Sequence, residues 1–312
     1  MSEASLEIGS VARLTEANSS RLGTLFARTP AQRGRAALLA ALLAVSATSV
    51  HSDSSAVAPL DLRKHERTVF SQFGEDGVIE KLFEIIEPSS HFCVEFGAHD
   101  GLTNSNVRNL IINEGWSSLQ IEGDDERSAA LAKNYAGYPK AKTLQAWVWP
   151  GNVEILFEEA GVPRDLDLLV IDIDSNDYYV WRAIHDYRPK VVVIEANFFF
   201  PPPQRMVIDF HPMNYWDGSQ YLGASPQSLY ALAKKKGYEL VHHMSWGPNL
   251  FFVDGKYFDR FGIADNSPAK MMSPKVREMV HALQKQGTPP NLGKPFLVWD
   301  KVKIEKKWIL GR

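Results

Sequence analysis

With one cysteine, Cys93, in 312 residues, this chain can form no internal disulfide and no cysteine zinc cage. That usage fits a reducing compartment and predicts a cytoplasmic protein. Cys93 sits inside the apolar run FCV and reads as a small core residue. No HxxxH or CxxC pair offers zinc-ligand spacing. Charge of one sign is also scarce. The net charge is −3, so no nucleic-acid or membrane-surface partner is expected. No apolar run reaches the ~20 residues that a bilayer-spanning helix needs. The longest, ALLAALLAVSA (37–47), follows Arg33 and Arg35 and has the cast of a signal-peptide core. It lies far from Met1, however, and is too short to span. The preferred reading is an Ala/Leu helix packed on the main body or on a second subunit, which makes a homo-oligomer through this arm one expectation. Export or membrane association through 33–47 is the alternative.

What is present is ordinary globular composition, 45% hydrophobic and 23% charged. Three parts are expected: a helical arm and linker over 1–61, one compact domain over 62–254, and an extension over 255–312. In that extension Lys and Arg outnumber Asp and Glu more than two to one. A solvated surface is the preferred reading of it, an anionic partner the other. Within the domain, apolar strands alternate with helical patterns. SQFGEDGVIEKLFEII places Val78, Ile79, Leu82, Phe83 and Ile86 at helical spacing. HFCVEFG, SSLQIEG, AKTLQAWVW, LDLLVIDID and KVVVIEANF read as strands, and YELVHHM and NLFFVD as a closing antiparallel pair. The expected fold is α/β: a Rossmann-like, doubly wound sheet of about seven mostly parallel strands with helices on both faces. The irregular stretch 198–223, rich in proline and aromatics, follows a strand whose C-terminal end borders the ligand crevice of such sheets.

The loop VEFGAHDG (94–101) joins the first strand to its helix. It has neither the G-x-G-x-x-G spacing of dinucleotide folds nor the Gly-Lys-Ser/Thr of a P-loop. Gly97 and Gly101 would admit a closely approaching ligand. Glu95 and Asp100 would repel pyrophosphate and suit a cationic aminoacyl group beside a sulfonium, which points to S-adenosylmethionine. Glu122 ends the second strand, where an acid can accept both ribose hydroxyls. Membership of the exposed acidic run EGDDE is its alternative reading.

VEFGAHDG, GWSSLQIEGDDE, LDLLVIDIDSNDYYVW and VVVIEANFF, in this order, resemble the class I S-adenosylmethionine-dependent methyltransferases, and within them the FkbM-type family. The lead-in SQFGEDGVI (71–79) and the closing GASPQSLYALAKKKGYELV are similar to that family too, and the resemblance covers roughly 68–254. It implies that Glu95, Gly97 and Gly101 flank the methionine moiety, that Glu122 takes the ribose, and that Ala146 and Trp147 border the adenine. Gln72, Glu75 and Asp76 would stand at the cofactor mouth, and Ala98, Gly123 and Asp172 complete the set. The fourth segment departs from the family's usual Asp-x-Glu-Gly-x-Glu. Here Asp172, Asp174, Asn176, Glu195 and Asn197 offer oxygen donors that Mg²⁺ or Ca²⁺ would accept, similar to catechol-type O-methyltransferases. The alternative is that they face the cofactor or cap a helix.

Methyl transfer needs an acceptor held in line and, for a hydroxyl, a base. The candidates are Asp172, Asp174 and His211, with His242 or His243. Those two are adjacent in a strand, so at most one faces the crevice. Tyr215, Trp216 and Tyr221 suit a sugar ring or an aromatic acceptor, or else a lid or dimer contact. The expected function is O-methylation of a sugar, glycan or small hydroxylated metabolite, with a divalent metal as an optional aid. A non-catalytic binding module and a metal-dependent enzyme of another type on the same sheet are the alternatives.

Overall fold

The computed structural model describes residues 60–285 and 296–298. The expected arm up to residue 59, with its apolar 37–47 segment, and most of the stretch after 285 lie outside the described residues.

Nine strands run in chain order: β1 (Phe92–Phe96), β2 (Ser117–Glu122), β3 (Ala141–Gln145), β4 (Leu168–Ile171), β5 (Val191–Glu195), β6 (Met206–Ile208), β7 (Tyr238–His243), β8 (Asn249–Asp254) and β9 (Phe296–Val298). Seven form one sheet in the order β3-β2-β1-β4-β5-β8-β7. The first five are parallel to their neighbours, whereas β8 runs antiparallel between β5 and β7. This is the expected doubly wound α/β sheet. The chain winds outward from β1 to β3, then restarts at β4 on the other side of β1. A crevice therefore opens at the C-terminal ends of β1 and β4.

Both faces of the sheet are dry. Leu169 and Ile171 of β4 enter one core cluster, with Val192 and Ile194 of β5 beside them. Leu168, Val170, Val191 and Val193 enter the other. Such strands read as unbroken apolar runs because both of their faces are covered. Cys93 is fully buried in the second cluster, and burial pushes its thiol pKa up, as expected of a core residue.

The helices are α1 (Glu75–Ile86), α2 (Arg108–Ile112), α3 (Asp125–Tyr135), α4 (Val153–Ala160), α5 (Asp177–Ala183), α6 (Pro226–Lys236), α7 (Pro268–Met271) and α8 (Pro274–Lys285). The apolar positions foreseen for α1 are all buried. Asp124 caps α3 by accepting from the amides of Glu126 and Arg127, and Ser225 caps α6 through the Ser228 amide. The run SNVRNLIINEGW reads as one helix capped by Ser105 or Asn104, but α2 covers only Arg108–Ile112. Ser105 and Asn106 are drawn instead to the Glu95 carboxylate, which holds this part of the chain in a loop.

Two features were not foreseen. The stretch 198–223 contains β6, which pairs antiparallel with β9 in a separate two-stranded sheet. Described residues after Asp254, expected as an extension, join the body: Phe261 is fully buried in the second core cluster, and Val276 and Val280 of α8 pack with Phe198. Among the described residues no helix is long and apolar enough to cross a membrane.

Candidate active site

A cleft of about 610 Å³ opens where β1, β2, β4 and β5 end. Its acidic lining comes from strand ends. Glu95 lies near the end of β1, Glu122 ends β2, Asp172 follows β4 and Glu195 ends β5.

The Glu122 carboxylate is buried and fixed. Oε2 accepts from the His99 amide at 2.9 Å and Oε1 from the Asp124 amide at 2.9 Å. Each oxygen keeps a lone-pair direction for a ligand. Trp147, 64% exposed, lays its indole over Gly123, where an added Cβ would stand 2.5 Å from the ring. Gly123 is therefore needed for the close approach of the indole. Ala146 sits beside it, its amide donating to the Glu122 carbonyl.

On the β1 side, Glu95 accepts from the Ser105 hydroxyl and the Asn106 amide, each at 2.8 Å. Burial raises its pKa to about 7 against those hydrogen bonds, helped by the charges of Asp76 and Glu75. Glu75, at the start of α1, accepts from the Phe73 amide and from the Asn249 side chain. Gln72 and Ala98 also border the cleft.

The third group is a carboxylate cluster. Ligand oxygens of Asp172, Asp174 and Glu195 lie within 4.8 Å of one another. Burial first, then the charges of Asp177 and Asp174, push Asp172 well above the carboxylate range. Burial first, then Asp172, does the same to Glu195. Asp174 is raised by burial despite the opposing charge of Arg127. Glu195 Oε2 and Asn176 Oδ1 are buried and have no hydrogen-bond partner. Asp177 stands behind them at the first turn of α5, accepting from the Ile173 and Ser175 amides. Burial raises it to about 7.

No family profile matches the chain, and no curated protein matches it. Solved structures do. The N-terminal domain of EvdMO1, solved in the presence of SAH and D-fucose, is 13% identical over 58% of this chain and 82% of its own, with a TM-score of 0.39. An S-adenosylmethionine-dependent methyltransferase from Clostridium acetobutylicum is 10% identical over 70% and 99%, at 0.37. Magnesium protoporphyrin IX methyltransferase from Synechocystis, solved with bound SAM, is 9% identical over 57% and 77%, also at 0.37. At these identities and scores the site stands on its own geometry.

That geometry brings together Gln72, Glu75, Glu95, Gly97, Ala98, Glu122, Gly123, Ala146, Trp147, Asp172, Asp174, Asn176, Glu195, Tyr215 and Trp216 on one cleft. Several expectations are corrected. Gly97 has φ +68, and a Cβ there would lie 1.8 Å from the Asp172 carbonyl oxygen, so neighbouring backbone fills the space read as a ligand's. Gly101 makes room for Tyr135, 2.3 Å from its would-be Cβ, and lies outside the cleft. Asp100 also lies outside. Burial raises its pKa, but hydrogen bonds from the Thr103 and Leu102 amides, with those of His99 and the Thr103 hydroxyl, together outweigh it and lower it to about 2. Asp76 is buried under the lead-in turn, accepting from the Val69, Phe70 and Ser71 amides.

Asn197 is no metal ligand. Its amide donates to the Gln220 and Leu222 carbonyls while Oδ1 accepts from Phe199, which pins the ends of the long loop. Tyr221 is buried; its hydroxyl accepts from the Asp209 amide and its ring packs on Phe296. His211 lies off the cleft, with Nδ1 accepting from the Met213 amide and its carbonyl accepting from Asn176. Neither strand histidine faces the cleft: His242 is buried against Glu66 at 3.0 Å, and burial lowers His243 to about 3. Sequence reasoning missed Ser105, Asn106, Asn249, Asp177 and Arg127. Ser105 was legible only as a helix cap, and the partner of Asn249, Glu75, lies 174 residues away.

Proposed function

We propose that this chain is an S-adenosylmethionine-dependent methyltransferase of the FkbM type that methylates a hydroxyl of a small acceptor, a sugar or glycan in the first instance. The observation that carries the reading is Glu122: a buried carboxylate at the end of β2, held by two amides, its remaining lone pairs open to a cleft at the switch point of the sheet. An acid there suits ribose hydroxyls. Trp147 and Ala146 border the adenine, and Glu95 and Glu75 favour the cationic aminoacyl end over a phosphate. The amino group's charge would return Glu95 to its ionised form.

The acceptor enters beneath Tyr215 and Trp216, both exposed on the cleft rim. S-adenosylmethionine, held by Glu122, Glu95 and Trp147, would supply the activated methyl group for the acceptor oxygen. Asp172 or Asp174, both on the cleft, would take the hydroxyl proton. Asp172, Asp174 and Glu195 fit a hard divalent cation, with Asn176 Oδ1 and Glu195 Oε2 as oxygens in want of a partner. When bound, Mg²⁺ would lower the pKa of the acceptor hydroxyl and orient it.

Calorimetry with S-adenosylhomocysteine tests the cofactor. The wild type binds, and Glu122→Ala weakens binding at least ~10-fold, the scale of one lost charged hydrogen-bond pair. An absence of wild-type binding ends the proposal. The metal is tested without turnover: Mg²⁺ or Mn²⁺ raises the melting temperature of the wild type and leaves Asp174→Asn/Glu195→Gln unmoved.

A further inference from the structure

A second cavity, of about 490 Å³, lies where β5 and β7 begin. The C-terminal ends of α5 and α6, the turn entering β5 and the first residue of β7 enclose it. Its floor is aromatic, with buried Tyr178, Tyr187 and Tyr238. Its rim carries Arg182, His185, Arg188, Lys235 and Lys236, and no carboxylate lines it.

Part of this charge has a structural use. Arg188 pairs with Asp254 through Nε at 2.8 Å and donates to the Lys236 and Gly237 carbonyls, closing the C-terminal end of α6. Lys236 donates to the Ile184 carbonyl. Capping accounts for one of its three ammonium donors. Among the described residues no carboxylate stands within ion-pair distance of Lys236. The nearby acids are engaged elsewhere. Glu154 accepts from the His185 and Asp186 amides, Asp186 pairs with Arg164, and Asp254 pairs with Arg188. Burial lowers Lys236 to about 8; the charge of Glu154 opposes this, and Arg188 adds a smaller push downward. An ammonium with no carboxylate in ion-pair distance, in a cavity lined by four further basic side chains and no acid, suits an anion.

We propose that this cavity binds the phosphate or diphosphate group of a small ligand, between Lys236, Lys235 and His185, at a site separate from the cofactor cleft. The compact oxyanion would meet the two ammonium groups and the imidazole at the rim, and the tyrosine floor would face the organic part. The two sites lie at opposite ends of α5: Asp177 backs the carboxylate cluster, and Arg182 reaches the cavity rim.

The test is calorimetry of the full chain with inorganic pyrophosphate, at constant ionic strength and with a chelator present so that no metal carries the anion to the cleft. One-site, saturable binding is expected in the wild type. Lys236→Gln and Lys235→Glu each weaken it at least tenfold, and Lys235→Glu keeps the wild-type affinity for S-adenosylhomocysteine. Lys235 is exposed on the last turn of α6, so this variant decides the matter if Lys236→Gln folds poorly. Three results overturn the proposal: no saturable binding by the wild type, binding that Lys235→Glu retains in full, or pyrophosphate that competes with S-adenosylhomocysteine.

Discussion

Gly97→Ala separates two accounts of the loop that opens the site. If the glycine only made room for a ligand, alanine would leave the ligand-free protein as stable as before. The structure puts the obstacle in the protein itself. Gly97 follows β1, Asp172 follows β4, and Phe96 and Ile171 are paired neighbours across the two strands. An alanine Cβ would lie 1.8 Å from the Asp172 carbonyl oxygen, at a φ of +68. The backbone would have to part by on the order of 1 Å in a close-packed interior. Left-handed backbone costs a non-glycine residue ~1–2 kcal/mol and overpacking ~1–3 kcal/mol, together about 3 kcal/mol. For a body of this size that lowers the melting temperature by about 6–12 °C. Thermal melts followed by circular dichroism, without cofactor, read it directly. A ligand-free variant melting within about 2 °C of the wild type would refute the assignment.

Other consequences concern charge and exposure. Glu95 and Asp177 have folded pKa values raised to about 7, so their contribution favours the fold below the unfolded carboxylate range and is lost as pH rises through about 7. Urea midpoints should therefore fall less between pH 5.5 and 8 in Glu95→Gln/Asp177→Asn than in the wild type; an equal fall removes the assignment. Buried Asp167 has the opposite sign. Hydrogen bonds from Ser89 and Lys190 outweigh burial and lower its pKa, so its stabilisation is present above the unfolded value and lost in acid. Because it gathers the Ser89, Ser90 and His91 amides with Lys190 at 3.0 Å, Asp167→Ala should cost ~3–5 kcal/mol in urea denaturation at pH 7. Trp147→Ala, at a largely exposed position, should change stability by no more than ~0.5 kcal/mol while weakening S-adenosylhomocysteine in a binding titration; a large loss of stability would make the indole structural.

The sheet was legible because its signal is local. Strands buried on both faces leave runs such as LLVI and VVVIE, and helices leave the 3.6-residue spacing seen in α1. Glu122 was legible for the same reason, as the first acid after an apolar strand. Gly101 and Asp100 misled because a glycine or an acid in a loop looks alike whether it faces a ligand, a tyrosine or an amide. His242 and His243 misled because strand alternation assigns a face but not what covers it.

By itself, then, the sequence determined the order and type of the elements and an acid at the end of β2, since each depends on neighbours two to four residues apart. The tertiary structure alone decided which side chains meet. Glu195 stands beside Asp172 because β5 pairs with β4, Asn249 reaches Glu75 because β8 returns against β5, and Gly97 exists for a carbonyl on the adjacent strand. Contacts between strands far apart in the chain follow from register and packing, and no local period in the sequence encodes them.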